Sequence, residues 1–430
     1  MMRGKLNLFQ ATMLRWRDTH PYSAVHAVPI EGGLDVGRMG ASIDRELGRR
    51  GLANLTLDIA ARRYDYAGGE VRVTLTVLDG GDDAHGVLMD EMERQLNRPF
   101  VREGRIDPFR FFAVATDSRS YLALAYDHFI AGGDSIAQLL QAIVDRYQGK
   151  PDHTDAVPSL YPETYRHWLL RRPGGFLRSL PSMPRLAVSG RHYHRPRYPR
   201  GPDPTNALTH FRLDVAEFAQ VIRVVLAWQV TLNDLLLAVT LLALAPVTEK
   251  RRSARRRVGL AAASIINIRR DFGIPPRAAF GQFLSSFHVA HLVPKGIALH
   301  DLTRDVHAQT TRIKRLRLYL QTLTGMGYSN IVWPHLSPEQ QQSFYEKNYP
   351  VWAGITTLNV DAVWADGGSQ ARAGYVRAIS TGPQAPMVVG ATTAGGALEV
   401  VITYRIAAFE RGTAEGIAAD IRERLCRITP

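Results

Sequence analysis

The residues with the clearest chemical potential fall in YLALAYDHFIAGGDSIAQLL, residues 121–140. Apolar residues alternate up to a histidine, two glycines follow, and an apolar pattern of helical period takes over. On a strand, His128 shares a face with Leu122, Leu124 and Tyr126, while Asp127 points the other way. A neutral imidazole at a strand end accepts a proton from a hydroxyl or an amine. Gly132 and Gly133 leave room for a substrate to approach the backbone. The bland alternative is a histidine satisfied by packing alone.

The same stretch admits other chemistries. Gly133-Asp134-Ser135-Ile136-Ala137 is one glycine short of the nucleophile elbow G-x-S-x-G and lies between a strand and a helix. That reading makes Ser135 a hydrolase nucleophile, with His288, His291, His300 or His307 as its base. Against it, the last glycine is alanine, no acid stands out in the second half, and the flanks form no regular βα series. A glycine turn at a helix start also suits a phosphate, but Asp134 would repel the anion. His192 and His194 are spaced like metal ligands but sit in a basic segment without carboxylates, so no metal site is expected.

The elements that must hold these residues follow from periodicity. Leu6, Phe9, Met13 and Trp16 form one helical stripe. Asp35 caps a second helix that carries Val36, Met39, Ile43 and Leu47 inward and stops at Gly51. Residues 54–60 and 71–78 alternate as strands joined by a turn at Gly68-Gly69. Residues 109–116 and 121–128 make a hairpin across Asp117-Ser118, and residues 135–147 make a strongly amphipathic helix. Arginine, proline and glycine dominate residues 171–204, as in a crossover between two halves. Residues 165–181 mix basic and bulky apolar side chains, consistent with at most a peripheral membrane contact.

In the second half, residues 211–215 read as a strand and 216–227 as a helix. Thr231 and Asp234 form a capping box before the apolar helix 235–247, which is too short to span a bilayer. Residues 259–268 and 285–292 read as strands, and Ser337 caps a helix with proline at its first position. Residues 387–393 and 398–404 form a hairpin around Gly395-Gly396. Thr413 caps a final helix, 414–426. No internal repeat is evident.

Bulk properties narrow the class. A length of 430 residues implies two domains, and 45% hydrophobic with 22% charged residues is the composition of a globular chain. The net charge of +13 comes mostly from arginine, whose planar fork suits phosphate and carboxylate. No zinc-finger spacing or aromatic RNA-binding run is present, so nucleic acid is not an expected partner. Cys426 is the only cysteine, which excludes an internal disulfide, and the N-terminus lacks the features of a secretion signal. A cytoplasmic protein is expected.

The segment around His128 resembles the HHxxxDG motif of condensation domains and the related HxxxD motif of plant and bacterial CoA-dependent acyltransferases. His128 matches the second, catalytic histidine, Gly133 the motif glycine, and Ser135 a serine often found after it. Asp127 replaces the first histidine. Gly132 replaces the aspartate, which in the family pairs with an arginine of the second lobe; Arg269 matches that arginine. The similarity continues in order through LNLFQATMLRW, VTLNDLLLAVTLLAL, SIINIRRDFGIPPRAAFGQFLSSF, ITTLNV and the closing hairpin and helix, so it spans nearly the whole chain.

The resemblance implies an α/β (α+β) fold of two chloramphenicol-acetyltransferase-like lobes. Each would be a mixed sheet with flanking helices, the pair forming a V with a central channel. Residues 1–170 would form the N-terminal lobe, 171–204 the crossover and 205–430 the C-terminal lobe. The implied activity is transfer of an acyl group from a thioester to a hydroxyl or amine, with His128 as general base, in specialised metabolite or lipid biosynthesis. Asp127, Gly132, Gly133, Asp134, Ser135, Arg269, Gln282, Ser285, Thr357 and Asn359 would surround the substrates. The donor would ride on the phosphopantetheine of coenzyme A or of an acyl or peptidyl carrier protein, and the acceptor would be a small molecule or lipid, with no bound cofactor. The basic charge suits such acidic partners. The glycine at 132 equally suits a degenerate domain that recruits carrier proteins without doing chemistry.

Overall fold

The computed structural model describes residues 2–150, 158–160, 192–249, 257–275, 277–364 and 373–429. The first half runs β1 (Met2–Lys5), α1 (Leu8–Thr19), β2 (Ser23–Glu31), α2 (Val36–Arg49), β3 (Leu55–Asp58), β4 (Arg63–Tyr66), β5 (Leu75–Asp79), α3 (Ala84–Asn97), β6 (Gly104–Ile106), β7 (Phe109–Ala115), β8 (Arg119–Asp127), α4 (Gly133–Tyr147) and β9 (Ser159–Leu160). The second half opens with β10 (Asn206–Leu213), the helices Val215–Ala227 and Leu232–Glu249, β11 (Leu260–Asn267), β12 (Ala279–Phe280) and β13 (Leu284–His291). The helices Leu299–Arg315, Gln321–Val332 and Pro338–Asn348 come next. It closes with β14 (Ala353–Asn359), β15 (Val376–Ile379), β16 (Met387–Ala394), β17 (Ala397–Arg405) and the helix Arg411–Arg427.

Two mixed sheets carry the lobes. The first has strand order β15-β2-β8-β7-β5, with β5 parallel to β7; a four-stranded sheet, β1-β4-β3-β6, sits beside it. The second has order β10-β17-β16-β14-β11-β13, with β14 parallel to both neighbours. The lobes exchange strands. β15 belongs to the second half of the chain but pairs with β2 of the first sheet, and β9 of the first half pairs with β12. The segment 205–430 therefore contributes to both lobes.

Local chemistry explains most elements. Asn7 and Gln10 form a reciprocal cap on α1, whose Phe9, Met13 and Trp16 are buried. Asp35 caps α2 through the Arg38 amide, and Met39, Ile43 and Leu47 face inward. Val36, expected inside, is exposed at the first position of α2. β7 and β8 form the expected hairpin. Thr231 and Asp234 bond reciprocally at the start of the Leu232–Glu249 helix, and Ser337 caps its helix with Gln340. Gly395 and Gly396 both hold positive φ, 59° and 76°, which the tight β16–β17 turn demands.

Several expectations fail for identifiable reasons. Residues 54–60 do not pair with 71–78 across Gly68-Gly69. The partner of β3 is β4, four residues on, and β5 starts only at Leu75 and joins the other sheet. Thr413 does not cap the last helix; the helix starts earlier, with Glu410 at its cap. β2 gave no strand signal because it is a central strand, between β15 and β8, with α3 and α4 packed against it, so its burial is continuous rather than alternating. Most of the 171–204 crossover and the basic-apolar segment 165–181 lie outside the described residues.

Candidate active site

β8 ends at Asp127, and the next residue turns its ring into the cleft between the lobes. The His128 amide donates to the Tyr22 carbonyl at 3.2 Å. Its ring stacks on Tyr22 at 5.3 Å and meets the edge of Tyr126 at 5.8 Å. Gln282, from the second half, holds the loop beneath: its Nε2 donates to the Ala131 carbonyl at 2.8 Å and to the His128 carbonyl, and lies 3.1 Å from His128 Nδ1. An amide nitrogen carries two protons, and the two carbonyls take them. The Nδ1 edge of the ring thus faces Gln282, and among the described residues Nε2 makes no hydrogen bond to the protein.

Burial holds the His128 pKa down to about 4. The carbonyl oxygens of Ala131 and His128 oppose that shift, and Arg377 reinforces it. The ring is therefore neutral at pH 7, the state a general base requires. It is 8% exposed. It lines a cavity of about 150 Å³ that opens to solvent, with Trp16, Tyr126, Ile265, Thr357 and Arg377 among the other walls. The walls come from both lobes.

A carboxylate two residues beyond Gly132 meets Arg269. Asp134 Oδ2 accepts from Arg269 Nε at 2.5 Å and from Asn267 Nδ2 at 2.9 Å. Arg269 also donates to Ser135 Oγ at 2.6 Å and to the Ala279 carbonyl at 2.7 Å, and lies over the Phe283 ring at 4.2 Å. Ser135 Oγ in turn contacts the Gly281 amide and carbonyl at 3.3 and 3.2 Å, and the Gly132 amide donates to the Gly281 carbonyl at 3.0 Å. Three of the five Arg269 guanidinium N–H groups are engaged in this network, which joins the start of α4 to the second half of the chain.

The remaining candidates divide. Gly133, Asp134, Ser285 and Thr357 line the cavity. Gln282 touches His128 from behind, and Gly132 sits at the α4 cap. Asp127 turns away into an ion pair with Arg17. Asn359 is exposed and caps a short turn of helix through the Ala362 amide. Ser135 is fully buried against Arg269, and among the described residues no histidine hydrogen-bonds to it. Among its supposed bases, His291, His300 and His307 bond Asp305, Asp301 and Asp234, and His288 packs between Tyr193 and Tyr349. A Ser135 nucleophile is thereby overturned.

Two groups escaped the sequence reading. Arg377 lines the cavity on β15, opposite His26 of β2. Its only sequence signal is a charge inside the apolar run YVRAI. Away from the cavity, His85, His210 and Glu399 place ligand atoms within 4.8 Å of one another and could hold a metal ion. Both histidines titrate low through burial, and burial lifts Glu399 to about 7.

No protein-family model matches the chain, and no curated protein does. Solved structures do. The EpoB cyclization-docking bidomain from Sorangium cellulosum is similar at a TM-score of 0.71 and 14% identity, over 99% of this chain and 84% of that one. The first condensation domain of the CDA synthetase matches at 0.68 and 13% identity, over 99% and 95%. The X-domain from teicoplanin biosynthesis, in its complex with OxyB, matches at 0.58 and 14% identity, over 99% and 93%. The chain has the two-lobed condensation-domain fold.

Proposed function

We propose that this protein is an acyltransferase that moves an acyl group from a phosphopantetheine thioester to a hydroxyl or amine, with His128 as general base. The observation that carries the reading is the neutral His128 imidazole, its Nε2 without a hydrogen-bond partner among the described residues, on the wall of a solvent-open cavity between two lobes. In the step, His128 Nε2 removes the acceptor's proton as the oxygen or nitrogen attacks the thioester carbonyl. The tetrahedral intermediate expels the thiolate, which takes that proton from the imidazolium. No covalent acyl-enzyme is required. Base assistance is worth roughly 10²–10⁴-fold, and holding both reactants in one channel supplies much of the remainder. The donor is carried by coenzyme A or by an acyl or peptidyl carrier protein, which the basic charge of the chain suits. No single helix among the described residues is long and apolar enough to cross a membrane; a cytoplasmic setting is the one that a chain with a single cysteine suits.

The test is acyl transfer from a panel of carrier- and CoA-bound thioesters by the wild type and by His128→Ala. Loss of transfer of roughly 10²-fold or more is expected; transfer at the wild-type rate in the variant would sink the assignment. A second reading is favoured by the likeness to an X-domain seen in complex with another protein: the fold serves as a docking platform. Binding of a carrier protein with no thioester consumed by the wild type would establish that reading instead.

A further inference from the structure

We propose that Arg377 is an anion-binding residue of the channel and that one of the two substrates carries a free carboxylate which it receives. The inference rests on the acyl-transfer reading for the identity of the substrates, but not for the existence of the site.

Arg377 arrives on the strand that crosses between lobes, where it stands in register with His26. It is 4% exposed and lines the cavity. Among the described residues, no carboxylate lies within ion-pair distance of it. Its hydrogen bonds all go to neutral groups: Nε to Thr392 Oγ1 at 3.4 Å, Nη1 to Thr356 Oγ1 at 3.3 Å, and Nη2 to the carbonyls of Thr356 and Ala391 at 2.8 and 3.3 Å. A guanidinium has five N–H groups. Four are engaged, and the fifth is on Nη1.

That atom is the one closest to the motif. A Cβ built on Gly133 would lie 3.5 Å from Nη1 and 3.3 Å from His26 Cε1, so glycine keeps the approach to the guanidinium open. The carboxylate on the cavity wall, Asp134, is paired with Arg269, and the other ionisable groups nearest Arg377 supply no negative charge. His26 Nδ1 lies 2.7 Å from the Tyr375 hydroxyl and its Nε2 lies 3.4 Å from the Tyr126 hydroxyl. Burial drives His26 well below its ordinary pKa and both phenols above theirs, so all three are neutral at pH 7. Burial also lowers Arg377, to about 10, which leaves it charged.

A buried cation without a counter-charge is costly, and it strongly favours any anion that enters its low-dielectric surroundings. A carboxylate matches the guanidinium fork. The phosphate of the donor's pantetheine arm does not meet the need, because the whole arm separates it from the thioester that must reach His128. The anion is therefore on the acyl group or on the acceptor, as in a dicarboxylic acyl chain or a free amino or hydroxy acid.

Calorimetry on the full chain, in the His128→Ala background to prevent turnover, tests both sources with matched probes. One arm compares 3-phenyllactate with 3-phenyllactamide; the other compares succinyl-pantetheine with butyryl-pantetheine. In one arm the carboxylate probe is expected to bind roughly 10²-fold more tightly than its neutral partner, and Arg377→Gln should erase the difference, with Arg377→Lys retaining part of it. Equal affinities within both pairs overturn the proposal without any substitution at 377. A preference that survives Arg377→Gln overturns it too. Unimpaired acyl transfer by His128→Ala would sink the base assignment alone and leave this affinity difference standing.

Discussion

Asp134 and Arg269, 135 positions apart in sequence, meet at 2.5 Å and tie the start of α4 to the second lobe. The carboxylate that does so sits two residues beyond the motif position occupied by Gly132. Both side chains are nearly buried. Removing one partner of such a pair strands the other, which typically costs about 3–5 kcal/mol. Asp134→Ala and Arg269→Met should each lose stability on that scale in urea unfolding. The double variant should lose clearly less than the sum; additive losses would show that the two residues do not act as a pair.

Restoring the family aspartate should harm the protein. The backbone at Gly132 has φ −79°, which any residue tolerates. A Cβ there would nevertheless lie 3.1 Å from Asp134 Oδ1 and 3.4 Å from Gln282 Oε1. Gly132→Asp would place a second carboxylate against Asp134 and press on the residue that holds the His128 loop. A loss of roughly 1–3 kcal/mol is expected, together with reduced transfer. A Gly132→Asp protein as stable and active as the wild type would contradict this expectation.

The pH dependence of transfer should carry the signature of a buried base. His128 loses its lone pair only below about pH 4. The acid limb of kcat/KM should therefore lie near pH 4, with a flat profile from about pH 5 through neutrality. A limb centred near the ordinary histidine pKa of about 6.5 would place the titrating base elsewhere, or show that the cavity is wetter than its walls imply.

Stability should respond to acid through opposing groups. Burial holds His20 near 3 and His128 near 4, so below pH 6.5 the unfolded chain binds protons that the fold excludes. Their contribution is complete above pH 6.5 and is lost as pH falls towards 4, at about 1.4 kcal/mol per pH unit for each ring. Glu399, raised to about 7, does the reverse: the fold keeps its proton while the unfolded chain releases it down to about pH 4.5. Glu399→Gln should accordingly steepen the loss of stability between pH 7 and 4.5 by about 1.4 kcal/mol per unit. An unchanged slope in urea midpoints across that range would show that Glu399 is ionised in the fold.

Local pattern determined a good deal by itself. The β7–β8 hairpin, the α4 stripe, the caps at Asp35, Thr231 and Ser337, and a histidine delivered at a strand end all follow from residues within a dozen positions of one another. Backbone hydrogen bonds and side-chain periodicity act over that range, and composition alone signals them. Only the tertiary structure decided which distant groups converge on the site. Gln282 reaches His128 across 154 residues, Asp134 rather than residue 132 meets Arg269, and Arg377 enters the first lobe because β15 pairs with β2 instead of its sequence neighbours. Strand partners are chosen by burial on both faces of a completed sheet, a property of the assembled lobes that no short window of sequence contains.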